Sequence, residues 1–206
     1  MKKQICPSII AKSQKEFNKR YKKISKLSPI LHLDVMDKPF ISNSSLQFEL
    51  ELPKHQYNVH LMIKNPEDWI KGNYNFVRLI TFHLESTKQP RKIINLIKSK
   101  KRKVGIAISP RTKLEKLIPY LKLIDQVTIM TVYPGKYGAK FQSAVLKKIS
   151  ILRKKYPKLD ILVDGSISDK TIVKASEAGA NKFVVGSYLQ KAKNPKKSFK
   201  ILEKLI

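Results

Sequence analysis

Three short stretches of the 206-residue chain hold residue types able to bind a metal or move a proton. In ILHLDVM, beginning at Ile30, His32, Asp34 and Met36 alternate with Leu33 and Val35. In YNVHLMI, beginning at Tyr57, His60 and Met62 alternate in the same way, and DILVDGS, beginning at Asp160, closes on Asp164, Gly165 and Ser166. Side chains two apart on an extended strand share a face, so each stretch offers its polar residues to one side. Two imidazoles and two carboxylates opening on a common cavity form a nitrogen/oxygen donor set for one divalent metal, with positions left for substrate oxygens. Zinc, iron, manganese and cobalt all suit such a set. A histidine taken singly is more often a hydrogen-bonded core residue than a ligand. His32, Asp34, His60 and Asp164 together shift that balance, because a buried carboxylate needs a compensating partner.

Other residues fall near these. Ser8 lies at the end of the first apolar run. His83, in TFHLEST, reads as a residue behind the ligands or on the pocket wall, and His55 as exposed. Methionine is commonly core filling, yet Met36, Met62 and Met130 are three of the chain's four methionines and all sit beside the candidate ligands. They suggest a soft, dry lining. Cys6, the single cysteine, reads as a small buried hydrophobe. Glycines give a separate signal. Gly135 and Gly138 bracket Lys136 and Tyr137 in YPGKYGAKF, where backbone amides can approach an anion. Gly165-Ser166 and Gly186-Ser187 follow two later runs and precede helical segments. Taken together they favour a phosphorylated substrate over a neutral one.

Gathering these residues requires a scaffold, and its elements are legible. Eight short apolar, β-branched runs begin at Gln4, Ile30, Tyr57, Val77, Lys103, Gln126, Asp160 and Lys182. Several are apolar at consecutive positions, as strands covered on both faces are. Helical spacing lies between them: Val145, Leu146, Ile149 and Leu152 share one stripe. The spacing also predicts a helix from Lys113 to Leu123, and an amphipathic one from Asn194 to Ile206. Asp169 is the expected cap, and Gly179 the expected stop, of a helix burying Ile172, Val173 and Ala175. Helices around 44–52 and 66–72 must be brief. Eight strands alternating with helices predict an α/β chain folded as one (β/α)8 barrel domain over residues 1–206, rather than an open doubly wound sheet. In such a barrel the chemistry sits at the C-terminal ends of the strands.

Composition excludes other classes. At 42% hydrophobic the chain is too apolar for disorder, and no window approaches the about 20 apolar residues of a membrane helix. The N-terminal stretch lacks the pattern of a signal peptide. A lone cysteine excludes an internal disulfide framework and points to the cytoplasm. Against 15 acidic residues stand 43 basic ones, a net charge of +28. Lysines are scattered through every predicted helix, and the one compact block, Lys98 to Lys103, lacks the aromatics of a single-strand binder. That pattern argues against dedicated nucleic-acid binding and for attraction of a small anionic substrate.

The segments CPSII, LHLDVMD, VHLMIKNPEDWI, FHLEST, VGIAISPRTKLE, IMTVYPG, ILVDGS and EAGANKFVVGS resemble ribulose-phosphate 3-epimerases over nearly the whole chain. The resemblance implies a TIM barrel of the ribulose-phosphate-binding type. Its expected reaction interconverts D-ribulose 5-phosphate and D-xylulose 5-phosphate, a step of the pentose phosphate pathway, with one divalent metal ion. Carried over by motif, His32, Asp34, His60 and Asp164 are the metal ligands, with Asp34 and Asp164 the catalytic acid/base pair. Ser8 and His60 contact substrate. Gly135, Lys136, Tyr137 and Gly138, with Gly165, Ser166, Gly186 and Ser187, surround the phosphate, and Met36, Met62 and Met130 line the pocket. The chain departs from the family pattern in three places: Lys38-Pro39 follows Asp37 where a glycine is usual, the PGKYG loop replaces PGFGG, and Ser166 replaces a second glycine. Rival readings are a related ketose-phosphate epimerase acting on allulose 6-phosphate, and a non-catalytic basic RNA-binding barrel. A decarboxylase of the same barrel type is disfavoured, because the second strand carries no lysine in the required place. Whether the chain forms a homo-oligomer is left open.

Overall fold

The computed structural model describes residues 1–133 and 139–206. Among the described residues eight parallel strands close into a barrel in sequence order. They are β1 (Gln4–Ile9), β2 (Ile30–Met36), β3 (Gln56–Met62), β4 (Val77–His83), β5 (Lys103–Ile108), β6 (Gln126–Met130), β7 (Asp160–Asp164) and β8 (Lys182–Val185). Around the outside run α1 (Gln14–Ile24), α2 (Glu67–Asn73), α3 (Pro90–Ser99), α4 (Leu146–Lys155), α5 (Ile172–Glu177), α6 (Ser187–Lys191) and α7 (Pro195–Lys204). This is the (β/α)8 architecture the alternating runs predict.

Strand alternation sorts the core into two environments. On β2 the outward Leu31, Leu33 and Val35 are buried and belong to one apolar cluster with helical residues such as Phe17, Ile70, Ile93 and Ile149. The intervening His32, Asp34 and Met36 face the barrel interior. A polar residue is tolerated there only with a partner, so the inward positions near the strands' C-terminal ends are where chemistry collects.

Three local expectations are corrected. Residues 113–123 form two short 3-10 segments, Leu114–Lys116 and Ile118–Leu123, instead of one α-helix. Pro119 lacks the N–H that a continuous helix needs, and its ring crowds the preceding turn. Asp169 does not cap α5. Its Oδ1 accepts only from the neighbouring Lys170 N–H at 3.1 Å, while Ser168 Oγ accepts from the same N–H at 3.3 Å and Thr171 Oγ1 from Ser168 N–H at 2.9 Å. Gly179 does end the helix, at φ +110°. No helix forms between β2 and β3. That connection is pinned instead by an antiparallel bridge between Met36 and Ser45, with Ser45 Oγ accepting from Ala11 N–H at 3.1 Å.

Candidate active site

The parallel register places His60 beside Asp34, Met36 beside Met62, His32 beside Ser8, and Met130 beside Asp164. Barrel closure then brings β7 across to β2 and β3. The result is a compact cluster: one donor atom each from His32, Asp34, His60 and Asp164, all within 4.8 Å of one another. His60 Nδ1 lies 3.0 Å from Asp164 Oδ2 and 3.6 Å from Asp34 Oδ1. His32 Nε2 lies 3.4 Å from Asp34 Oδ1 and 3.9 Å from Asp164 Oδ2. All four residues are buried, Asp164 being the most accessible at 8%.

The cluster is not satisfied by its own hydrogen bonds. Both ring nitrogens of His32 and Asp34 Oδ1 are buried without a hydrogen-bond partner, an arrangement that costs about 1–3 kcal/mol per group. Electrostatics makes up part of the deficit. Burial pushes the Asp34 carboxyl up, but the His32 and His60 imidazoles overcome it and hold that carboxyl well below the usual range. Burial likewise opposes charge on His60, yet its hydrogen bond to Asp164 and the nearby Asp34 carboxylate raise it to about 9. Unpartnered donor atoms of mixed nitrogen and oxygen character, converging on one point, are what a divalent cation accepts. The residues present fit such an ion.

Behind the cluster stands a chain that sequence reading understated. His83 is fully buried, with Nε2 at 3.0 Å from His60 Nε2 and Nδ1 at 3.1 Å from Glu85 Oε2. Glu85 also accepts from Ser109 N–H at 2.8 Å and from the Thr112 hydroxyl. Burial raises its carboxyl, but the His83 hydrogen bond and those donors bring it down to about 2. Glu85 was missed altogether. Its spacing of two from His83 was the available signal, weakened because the chain leaves the strand for a 3-10 turn at Leu84–Ser86.

The remaining predicted residues fall around this centre. Met36 and Met62 pack with Ile41, Ile10 and Phe40 in a separate apolar wall, and Met130 is buried beside Asp164. Ser8 lies against Gly186, where a Cβ would meet Ser8 Oγ at 2.7 Å. Gly165 has φ +117°, and a Cβ there would meet Val132 Cγ2 at 2.4 Å. Ser166, at φ +51°, donates its hydroxyl to Ala139 O. Ser187 begins α6. Gly135, Lys136, Tyr137 and Gly138 lie outside the described residues. His55 is half-buried rather than exposed, because its Nε2 meets Ser28 O at 3.1 Å and its ring packs edge-on to Tyr21. Asp37 stays out of the cluster and ties down the loop after β2, accepting from Phe40 N–H at 2.8 Å and Lys64 N–H at 3.0 Å. Burial pushes the Cys6 thiol up to about 12, so it stays neutral, as a buried hydrophobe should.

Residues 4–190 match a family model described as the Ribulose-phosphate 3 epimerase family. A ribulose-phosphate 3-epimerase of Schizosaccharomyces pombe is 35% identical over 202 residues, covering 93% of this chain and 89% of the relative. A cytoplasmic isoform from Oryza sativa subsp. japonica is 35% identical over 190 residues, covering 85% and 82%. Among solved structures, 3-hexulose-6-phosphate synthase from Salmonella typhimurium superposes with a TM-score of 0.72 at 14% identity, covering 98% of this chain and 97% of that one. This last likeness shows the barrel fold alone.

Proposed function

Because the chain belongs to the ribulose-phosphate 3-epimerase family, we propose that it interconverts D-ribulose 5-phosphate and D-xylulose 5-phosphate by moving the C3 proton between two carboxylates through a planar enediolate. Pentose-phosphate epimerase activity follows from the family. The finer reading is carried by the buried cluster of His32, Asp34, His60 and Asp164, with donor atoms within 4.8 Å of one another. Inverting a carbon beside a carbonyl means removing its proton from one face and returning one to the other. Two carboxylates can do this without the substrate turning over, and Asp34 and Asp164 are assigned those roles. A divalent cation held by the four residues would supply Lewis-acid stabilisation of the negative charge developing on the substrate's oxygens. The apolar wall of Met36, Met62 and Phe40 keeps bulk water from the reacting carbon, which strengthens electrostatic interactions there.

Ser8 and His60 are assigned to the sugar. The loops after β7 and β8, through Gly165, Ser166, Gly186 and Ser187, are assigned to its phosphate, as such loops commonly are in this fold. No described helix is long and apolar enough to cross a membrane, and the likeness to a cytoplasmic isoform supports action in the cytoplasm. The deciding experiment is a coupled assay on chelated and on metal-reloaded protein, with ribulose 5-phosphate and allulose 6-phosphate in parallel. Activity that disappears on chelation, returns with a divalent ion and favours the five-carbon substrate is expected. Undiminished turnover by fully chelated protein would remove the metal from the scheme, and preference for allulose 6-phosphate would reassign the substrate.

A further inference from the structure

We propose that His83 and Glu85 are positioning residues that fix the tautomer of His60, so that Nε2 keeps its proton and Nδ1 is the nitrogen freed for a cation. Both roles rest on the cluster's being a cation site, as proposed above. They concern how one ligand is prepared for that task.

The proton positions follow from Glu85 inward. An ionised carboxylate only accepts. Glu85 Oε1 takes the Ser109 N–H and the Thr112 hydroxyl, and Oε2 lies 3.1 Å from His83 Nδ1. His83 Nδ1 must therefore carry a proton. The other nitrogen of that neutral ring is then an acceptor, and it meets His60 Nε2 at 3.0 Å, so His60 Nε2 must donate. When a cation displaces the remaining proton, a neutral His60 protonated on Nε2 is bare at Nδ1, the atom that in the metal-free protein lies 3.0 Å from Asp164 Oδ2 and 3.6 Å from Asp34 Oδ1. A ring nitrogen can bind a cation only in that state.

The surroundings hold the chain in this one arrangement. His60 and His83 are both 0% exposed, their rings stack at 4.9 Å and 16°, and Phe40 covers His83 at 5.1 Å. No water is needed to complete the series, and its far end is anchored on the segment following β5. His32 has no such support, since neither of its nitrogens has a hydrogen-bond partner. His60 is thus the ligand whose orientation the protein determines in advance.

The test uses the full chain loaded with zinc and labelled with 15N-histidine. Only four histidines contribute signals. Expected are a protonated Nε2 on His60, and a protonated Nδ1 with a bare Nε2 on His83. A proton on His83 Nε2 would overturn the assignment, and this readout needs no variant to fold. Zinc titration of chelated protein gives a second readout. His83→Leu removes the acceptor. Glu85→Gln can turn its NH2 toward His83 and reverse the whole series. Each should weaken zinc binding by about 10–100-fold. His83→Gln, whose carbonyl can accept from His60 Nε2, should restore most of the affinity. Equal losses in His83→Leu and His83→Gln would reduce the effect to packing and overturn the positioning role. His60→Ala separates the two levels. If it abolishes zinc binding while His83→Leu and Glu85→Gln bind normally, positioning fails and the cation site stands. If His60→Ala also binds normally, the cation site itself fails.

Discussion

Asp34 and Asp164 are buried against the same two imidazoles, His32 and His60. Replacing either by asparagine keeps the shape and removes the proton acceptor. Asp34→Asn and Asp164→Asn should each lower kcat by about 10²–10⁴-fold or more, with circular dichroism showing the barrel still folded; near-native epimerisation by either variant would remove it from the acid/base pair. His60 sets a pH dependence. Its pKa is raised from 6.5 to about 9 in the metal-free protein, where the hydrogen bond to Asp164 and the nearby Asp34 carboxylate outweigh burial. A raised pKa contributes stability that is complete below the unfolded value and is lost as pH rises through the folded one. Metal-free protein should therefore lose thermal stability between pH 6.5 and about 9. A cation competes for the same nitrogen, so its affinity should climb by about tenfold per pH unit across that window. Melts with and without chelator over this range measure both slopes, and parallel curves would show that ion and proton do not compete.

Among the elements, the turn after β7 carries the most constraint per residue. Thr131 N–H and Oγ1 both donate to Asp164 O, at 2.7 and 3.0 Å, which binds the end of β7 to the end of β6. Gly165 then reverses the chain at φ +117°, against Val132. A side chain there meets both an unfavourable backbone conformation and a steric overlap. Gly165→Ala should cost about 2–4 kcal/mol, measured by denaturant unfolding, and should lower kcat because Asp164 is the preceding residue. A variant as stable as the parent would mean that the turn relaxes freely. Much of the element pattern was readable locally: strand runs declare themselves by consecutive β-branched residues. The 113–123 segment was not, because Leu114, Leu117, Ile118 and Leu121 keep helical spacing while Pro119 interrupts the hydrogen bonding that spacing presupposes.

For the whole molecule the dominant quantity is a net charge of +28. The compact basic block from Lys98 to Lys103 runs from the end of α3 into the start of β5, at the opposite end of the barrel from the cluster. The expected action of this charge on an anionic substrate is that of a diffuse field rather than of a local contact. Raising ionic strength from about 0.01 M to 0.15 M shortens the screening length from about 30 Å to 8 Å. Over that range kcat/KM for an anionic sugar phosphate should fall several-fold while kcat changes little, as measured by steady-state kinetics at constant pH. A salt-independent kcat/KM would show that the field does not guide encounter.

What the sequence by itself determined is the part governed by short-range periodicity. Alternation along β2 and β3 puts His32, Asp34 and His60 on inward faces, and eight similar runs require a layer of helices outside them. What only the tertiary structure decided lies between residues far apart in the chain. Asp164 meets His60 across a separation of 104 residues, and His83 meets His60 across 23. Those contacts depend on barrel closure and on the register between neighbouring strands, set by the summed packing of every strand and helix. No local pattern encodes that sum, so the four clustered residues could be read from the chain, whereas the contacts behind them required the fold.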